Sequence, residues 1–194
     1  MNAELVAVGK PGHEFAAENL QYGLATSRAV KAQVAGMQAV AMVPPGNPEG
    51  NVLDFKHGGL GRAVAGDLAE WLVDRFAGSL LVVELPMRRV DDPEGPVEGF
   101  ETVARGDDIF GVCTIGHPAS AVENALLGHD PTFLYGAFVL QQNETTRAWL
   151  NSDTDQLVSD PQQLLVVIVG AYDGEGFVLL SRDDLISTWR IASR

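Results

Sequence analysis

Cys113 and His117 are the first pair to weigh for chemistry, since a thiolate beside an imidazole makes a nucleophile. In an extended segment four residues separate them by about 13 Å. They are not direct partners on one strand, and Gly116 and Pro118 disfavour the helical alternative. Any base for Cys113 would be His13, His57 or His129, brought near by the fold. The expectation is a buried, inert cysteine on a core strand, where free cysteines are most often found. Cys113, His117 and His129 are spaced C-x3-H-x11-H, which matches no usual structural zinc framework, and no metal is expected. Asn151-x-Asp153-x-Asp155 resembles the opening of a calcium loop. Gln156 stands where the glycine belongs and Gln162 where the closing glutamate belongs, so the loop is not an EF-hand.

His57-Gly58-Gly59-Leu60-Gly61-Arg62 opens the best helical pattern in the chain. Glycines let the backbone approach an anion, a helix start offers unpaired N–H groups, and Arg62 adds a bidentate donor. Gly59-x-Gly61-x-x-Val64, with Glu84 twenty residues after Val64, partly follows the dinucleotide-binding pattern, with Val64 at the third glycine position. The competing reading is a glycine-rich turn leading into a core-packed helix.

The third kind of chemistry is acidic. There are 26 Asp and Glu against 13 Lys and Arg, a formal net charge of −13. Such a field repels phosphate backbones and anionic membranes and steers basic protein surfaces inwards. A nucleic-acid partner is not expected, and Trp71, Trp149 and Trp189 are not interleaved with basic clusters. Acids gather around Glu84, Asp91, Asp92, Glu94, Glu98, Glu101, Asp107 and Asp108, and again at Asp153 and Asp155. Dense carboxylates are ordinarily a solvated surface, because burying them without partners is costly. The functional alternative is a docking face for a basic partner.

These groups are held by a pattern that punctuates in three places: Pro44 to Asn51, Pro86 to Pro96 and Asn151 to Gln163. The pieces between are too short for separate cores, so residues 1–194 read as one domain. Short strands are expected at Glu4 to Val8, Val52 to Phe55, Ser79 to Leu85, Gly111 to Ile115 and Thr132 to Gln141, and helices at His13 to Tyr22 and Pro118 to Leu127. Thr26 to Val43 fits a helix, yet Gln38 to Val43 also fits a strand, and periodicity does not arbitrate so short a run. Leu60 to Phe76 is the clearest helix, with Leu60, Val64, Leu68, Trp71, Leu72 and Phe76 in one stripe. Leu164 to Tyr172 and Glu175 to Ser181 read as a hairpin about Asp173-Gly174. A terminal helix follows, with Ser181 and Asp184 as a capping box and Leu185, Ile186 and Trp189 as its buried face.

Val6 to Ala17 (VAVGKPGHEFAA) resembles the opening strand and loop of bacterial peptidyl-tRNA hydrolases, and Pro44-Pro45-Gly46 followed by Phe55-Lys56 and Gly58-Gly59 echoes a later segment of that family. The family's catalytic asparagine corresponds to Lys10 and its catalytic histidine to Leu20. The resemblance therefore implies no hydrolase function here.

The fold expected is α+β, with mixed α/β as the alternative: a central, partly antiparallel sheet, a C-terminal hairpin and three to five packed helices. The single cysteine demands no oxidising compartment, no export signal is evident, and the longest apolar run is far shorter than a bilayer, so a cytoplasmic protein is expected. The leading functional reading is a non-enzymatic acidic interaction module, of inhibitor, immunity-protein or assembly type, with no cofactor. It docks a basic protein, or a further copy of itself, through Asp91, Asp92, Glu94, Asp107, Asp108, Asp153 and Asp155. The alternative is an enzyme or sensor holding a phosphate-bearing ligand at His57, Gly58, Gly59, Gly61, Arg62 and Glu84. A virion or other assembly subunit is the third reading.

Overall fold

The computed structural model describes residues 4–7, 36–43, 60–84, 100–105, 108–127, 137–152, 163–170 and 177–189. In chain order these form β1 (Glu4–Ala7), β2 (Gln38–Val43), α1 (Leu60–Phe76), β3 (Leu80–Glu84), β4 (Glu101–Arg105), β5 (Asp108–Thr114), α2 (Ala119–Leu127), β6 (Ala137–Leu140), α3 (Glu144–Leu150), β7 (Leu164–Gly170), β8 (Phe177–Ser181) and α4 (Leu185–Thr188). The fold is α+β. The eight strands make one sheet in the order β1-β2-β8-β7-β6-β3-β5-β4, and every neighbouring pair is antiparallel.

Strand sequences such as LLVVE, AFVL, LLVVIVG and FVLLS are apolar almost throughout because both faces of the sheet are buried. Val40, Met42, Leu81, Val83, Ala137, Val139, Val166, Ile168 and Leu179 pack with α1, α2 and Leu185 on one face. Ala39, Ala41, Leu80, Val82, Phe138, Leu140, Val167, Val178 and Leu180 pack on the other, where Trp149 and Leu150 of α3 join them. The alternation breaks once. Val139 pairs with Val166 but Leu140 with Leu164, so β7 carries one extra residue. That bulge puts Leu164 on the α3 face while Leu165 and Val166 both join the α1 face. The carbonyl of Leu165 accepts the Ser181 hydroxyl at 2.9 Å, which supplies a partner where the ladder is interrupted.

Helix α1 buries Ala65, Leu68, Ala69, Trp71, Leu72, Val73 and Phe76. It stops at Gly78, whose φ of 86° is the left-handed conformation that closes a helix and that a side chain resists. Gly78 N–H then donates to Ile115 C=O and Ser79 N–H to Phe76 C=O, turning the chain into β3. Trp71 meets Phe76 edge-on and Trp189 at a tilt, each at 5.3 Å between ring centres.

Most of the strand expectations match with small changes of length. Gln38–Val43 is a strand, which decides that part of the ambiguous segment, residues 26–35 lying outside the described residues; β4 is an element that the sequence pattern does not announce, and α3 is one that only its cap announces. At the C-terminus two details differ. Asp184, not Ser181, caps α4, its Oδ1 accepting from Ser187 N–H at 3.1 Å, while Ser181 belongs to β8. Ile186 is 43% exposed, because a four-residue helix presents only Leu185 and the adjoining Trp189 to the core. The β7–β8 register, with Gly170 opposite Phe177, is centred between residues 173 and 174; the residues expected to form the turn lie outside the described residues, as do those expected to form a helix at 13–22 and a strand at 52–55.

Candidate functional site

The residues singled out for chemistry fall in three places. Gly61 and Arg62 lie in the first turn of α1, a turn that carries no acidic residue, while His57, Gly58 and Gly59 lie outside the described residues. Glu84 ends β3, and its position has the parity of Leu80 and Val82, whereas Leu81 and Val83 are the β3 residues that pack with α1. Strand β3 lies between β5 and β6, antiparallel to both, so the crevice between parallel strands that dinucleotides use is not formed at β3.

Of the acidic docking set, Asp91, Asp92, Glu94, Asp107, Asp153 and Asp155 lie outside the described residues. Asp108 opens β5 opposite Arg105, so only residues 106 and 107 connect β4 to β5. Glu84 pairs with Phe110, two residues along β5 from Asp108, so Glu84, Arg105 and Asp108 come to one end of three adjacent strands. Sequence spacing treats them as separate features; the register makes them neighbours.

The framework itself is acidic. The described residues hold eleven carboxylates (Glu4, Asp67, Glu70, Asp74, Glu84, Glu101, Asp108, Glu123, Glu144, Asp183 and Asp184) against five arginines (Arg62, Arg75, Arg105, Arg147 and Arg182). Two exposed ion pairs tie elements together: Arg75 to Asp183 at 3.8 Å and Arg147 to Glu101 at 3.7 Å. Pairs so exposed contribute little to stability, but they orient the side chains.

Around Arg147 lies a polar seam that the spacing of candidate residues does not mark. Asn143 caps α3, its Oδ1 accepting from Thr146 N–H at 2.9 Å while its Nδ2 donates to Gln163 Oε1. With its amide oriented to satisfy both neighbours, Gln142 donates to Gly78 C=O at 2.7 Å and accepts from Arg147 Nη2 at 3.3 Å. The seam joins the ends of β3, β6 and β7 and fixes Arg147 against Glu101 on β4. The sequence does carry one signal for it: Asn before Glu144 is a helix start with an acid in the first turn.

Cys113 sits on β5, partly buried against the α1 face, and burial pushes its thiol up to about 11. At neutral pH it is a thiol, a poor nucleophile. His117 is exposed beyond the strand end. Among the described residues no three His, Cys, Asp or Glu side chains come close enough to hold a metal ion. None of the helices described is long and apolar enough to cross a membrane. Comparison with protein-family models, with curated proteins and with solved structures finds no match.

Proposed function

We propose that this chain is a non-enzymatic interaction module that docks a basic protein surface, as an inhibitor, an immunity protein or an assembly component. The observation that carries the reading is the charge: −13 overall, with the described framework already holding twice as many acids as arginines. Long-range attraction of that size accelerates encounter with a basic surface, and contact pairs then fix register. The docking set is Asp91, Asp92, Glu94, Asp107, Asp108, Asp153 and Asp155.

The test begins with co-purification from the native source, followed by affinity measurement with the recovered partner at about 50 and 500 mM salt. The partner is expected to be basic, and its affinity to fall with salt and with reversal of Asp91, Asp92 and Glu94 to lysine. Binding indifferent to both would sink the reading.

A second reading has one observation behind it: α1 begins immediately after Gly58-Gly59, with no carboxylate in its first turn to oppose an anion. An enzyme or sensor would place a phosphate-bearing ligand there, at Gly58 to Arg62. A nucleotide panel then raises the melting temperature, and Arg62→Ala abolishes the shift. No response across the panel removes this alternative.

A further inference from the structure

Strand β4 ends the sheet: among the described residues it pairs with β5 alone. Glu101 and Thr102 are exposed and Val103 is partly so, although Val103 also packs against the α3-side core. A strand with no second neighbour in the sheet presents backbone donors and acceptors on that side to any strand that can match it. The sequence of the edge, Glu101-Thr102-Val103-Ala104-Arg105, is charge-complementary to its own reverse.

We propose that β4 is a self-association edge, joining two copies of this chain in antiparallel fashion across a two-fold axis at Val103. In that register Val103 stands opposite Val103 of the second copy, Thr102 opposite Ala104, and each Glu101 opposite an Arg105. Like parity meets like parity throughout, so the outward-pointing backbone groups pair whichever set β5 leaves unused. The row across each end of the junction alternates in sign. By register, position Asp108 lies opposite position Arg105 within one copy, position Arg105 stands opposite Glu101 of the second, and that Glu101 is already held by its own Arg147 at 3.7 Å. The other edge lacks this property. Self-pairing of β1 would set Glu4 against Ala7, and α4 packs beside it.

Five residue pairs form a small interface, and two bodies of charge −13 repel, so the association is weak. Sedimentation velocity on the full chain at about 0.15 M salt, where the Debye length is about 8 Å, shortens that repulsion while leaving contact pairs in place. Wild-type protein is expected to move from monomer to dimer with rising concentration. Glu101→Arg and Arg105→Glu each set like charges opposite one another twice, and each weakens the dimer about tenfold. Mixing the two variants restores association, because the arginine introduced at position 101 of one copy then stands opposite the glutamate introduced at position 105 of the other. Arg147→Ala, which removes the internal pair to Glu101 and the bond to Gln142 but nothing that crosses the junction, leaves most of the affinity. A wild-type chain that stays monomeric across the whole range overturns the proposal without any variant. So does a dimer indifferent to both reversals, or reversed chains that do not recover on mixing. Failure of the basic-partner reading leaves all three readouts untouched, since they are made on the purified chain alone.

Discussion

Gly111 should not tolerate even one added methyl group while Phe100 keeps its place. Gly111 is buried in β5 between Val83 of β3 and Thr102 of β4, and a Cβ built on it falls 2.7 Å from Phe100 Cδ1, 3.1 Å from Cγ and 3.2 Å from Cε1. Carbon atoms prefer roughly 3.5–4.0 Å, so the ring must retreat by about 1 Å. Because Cγ, the root of the ring, is among the close atoms, spinning the ring does not clear the clash. The side-chain root or the strand has to move, and overpacking of this kind costs about 1–3 kcal/mol. Working against it, Gly→Ala where the backbone conformation is compatible returns about 0.4–1 kcal/mol through the unfolded chain. Gly111 is not among the glycines at positive φ. The net expectation for Gly111→Ala is a loss of about 1–2 kcal/mol.

The same substitution in a Phe100→Ala background removes the obstacle, and there it is expected to be neutral or to stabilise by about 0.5 kcal/mol. Urea unfolding of the four proteins at 25 °C measures the coupling directly, expected at about 1–2.5 kcal/mol. If Gly111→Ala costs the same in both backgrounds to within about 0.5 kcal/mol, the ring is not what holds position 111 to glycine, and the argument fails.

Thr146 is fully buried with its Oγ1 unpaired, so Thr146→Val is expected to stabilise by about 1 kcal/mol; a loss of similar size in the urea midpoint would mean that the hydroxyl has a partner after all. Asn143→Ala removes the cap of α3 and the contact to Gln163, and should cost about 0.5–2 kcal/mol in the same assay. Cys113, raised from 9.0 to about 11 by burial, has a hundredth of the thiolate of an ordinary cysteine at pH 8, so alkylation of native protein should run about a hundredfold slower than after unfolding and accelerate towards pH 11. Because the folded state holds that proton more tightly than the unfolded chain, its contribution to stability is complete below about pH 9 and lost as pH rises through about 11. A Cys113→Ala variant should flatten that part of the stability profile.

How legible each element is in the sequence depends on what it shows to water. Helix α1 is readable because one side is solvated, leaving a stripe of the right period. The central strands are readable as apolar runs, but burial on both faces erases the alternation that distinguishes strand from short helix, which is why the pattern at Gln38–Val43 is ambiguous. Strand β4 is missed for the opposite reason: an edge strand with Glu101, Thr102 and Arg105 carries too little apolar signal to stand out. Helix α3 is too short for periodicity, and only its cap announces it. The closeness of Glu84, Arg105 and Asp108 is a product of register between strands, which composition and local spacing do not encode.

Register also bears on how docking is separated from steering. With both sheet faces covered, the surfaces that the described residues leave for recognition are edges, strand ends and the outer sides of the helices, in addition to the connectors that lie outside them. Of 26 acids, fifteen lie beyond the described framework, together with eight of the 13 basic residues, so the excess is shared almost evenly between framework and remainder. Reversing Asp91, Asp92 and Glu94 would therefore weaken the general field even if no partner ever touched them. Exposed framework acids provide the control: Asp74 and Glu144, reversed together, alter the same field from elsewhere. Steering acts on association rate and fades with salt, whereas a contacted carboxylate governs dissociation. If the connector acids are the docking face, their reversal speeds dissociation while reversal of Asp74 and Glu144 only slows association. Equal effects on association alone, from both sets, would make the charge a guide to encounter and move the contact surface elsewhere.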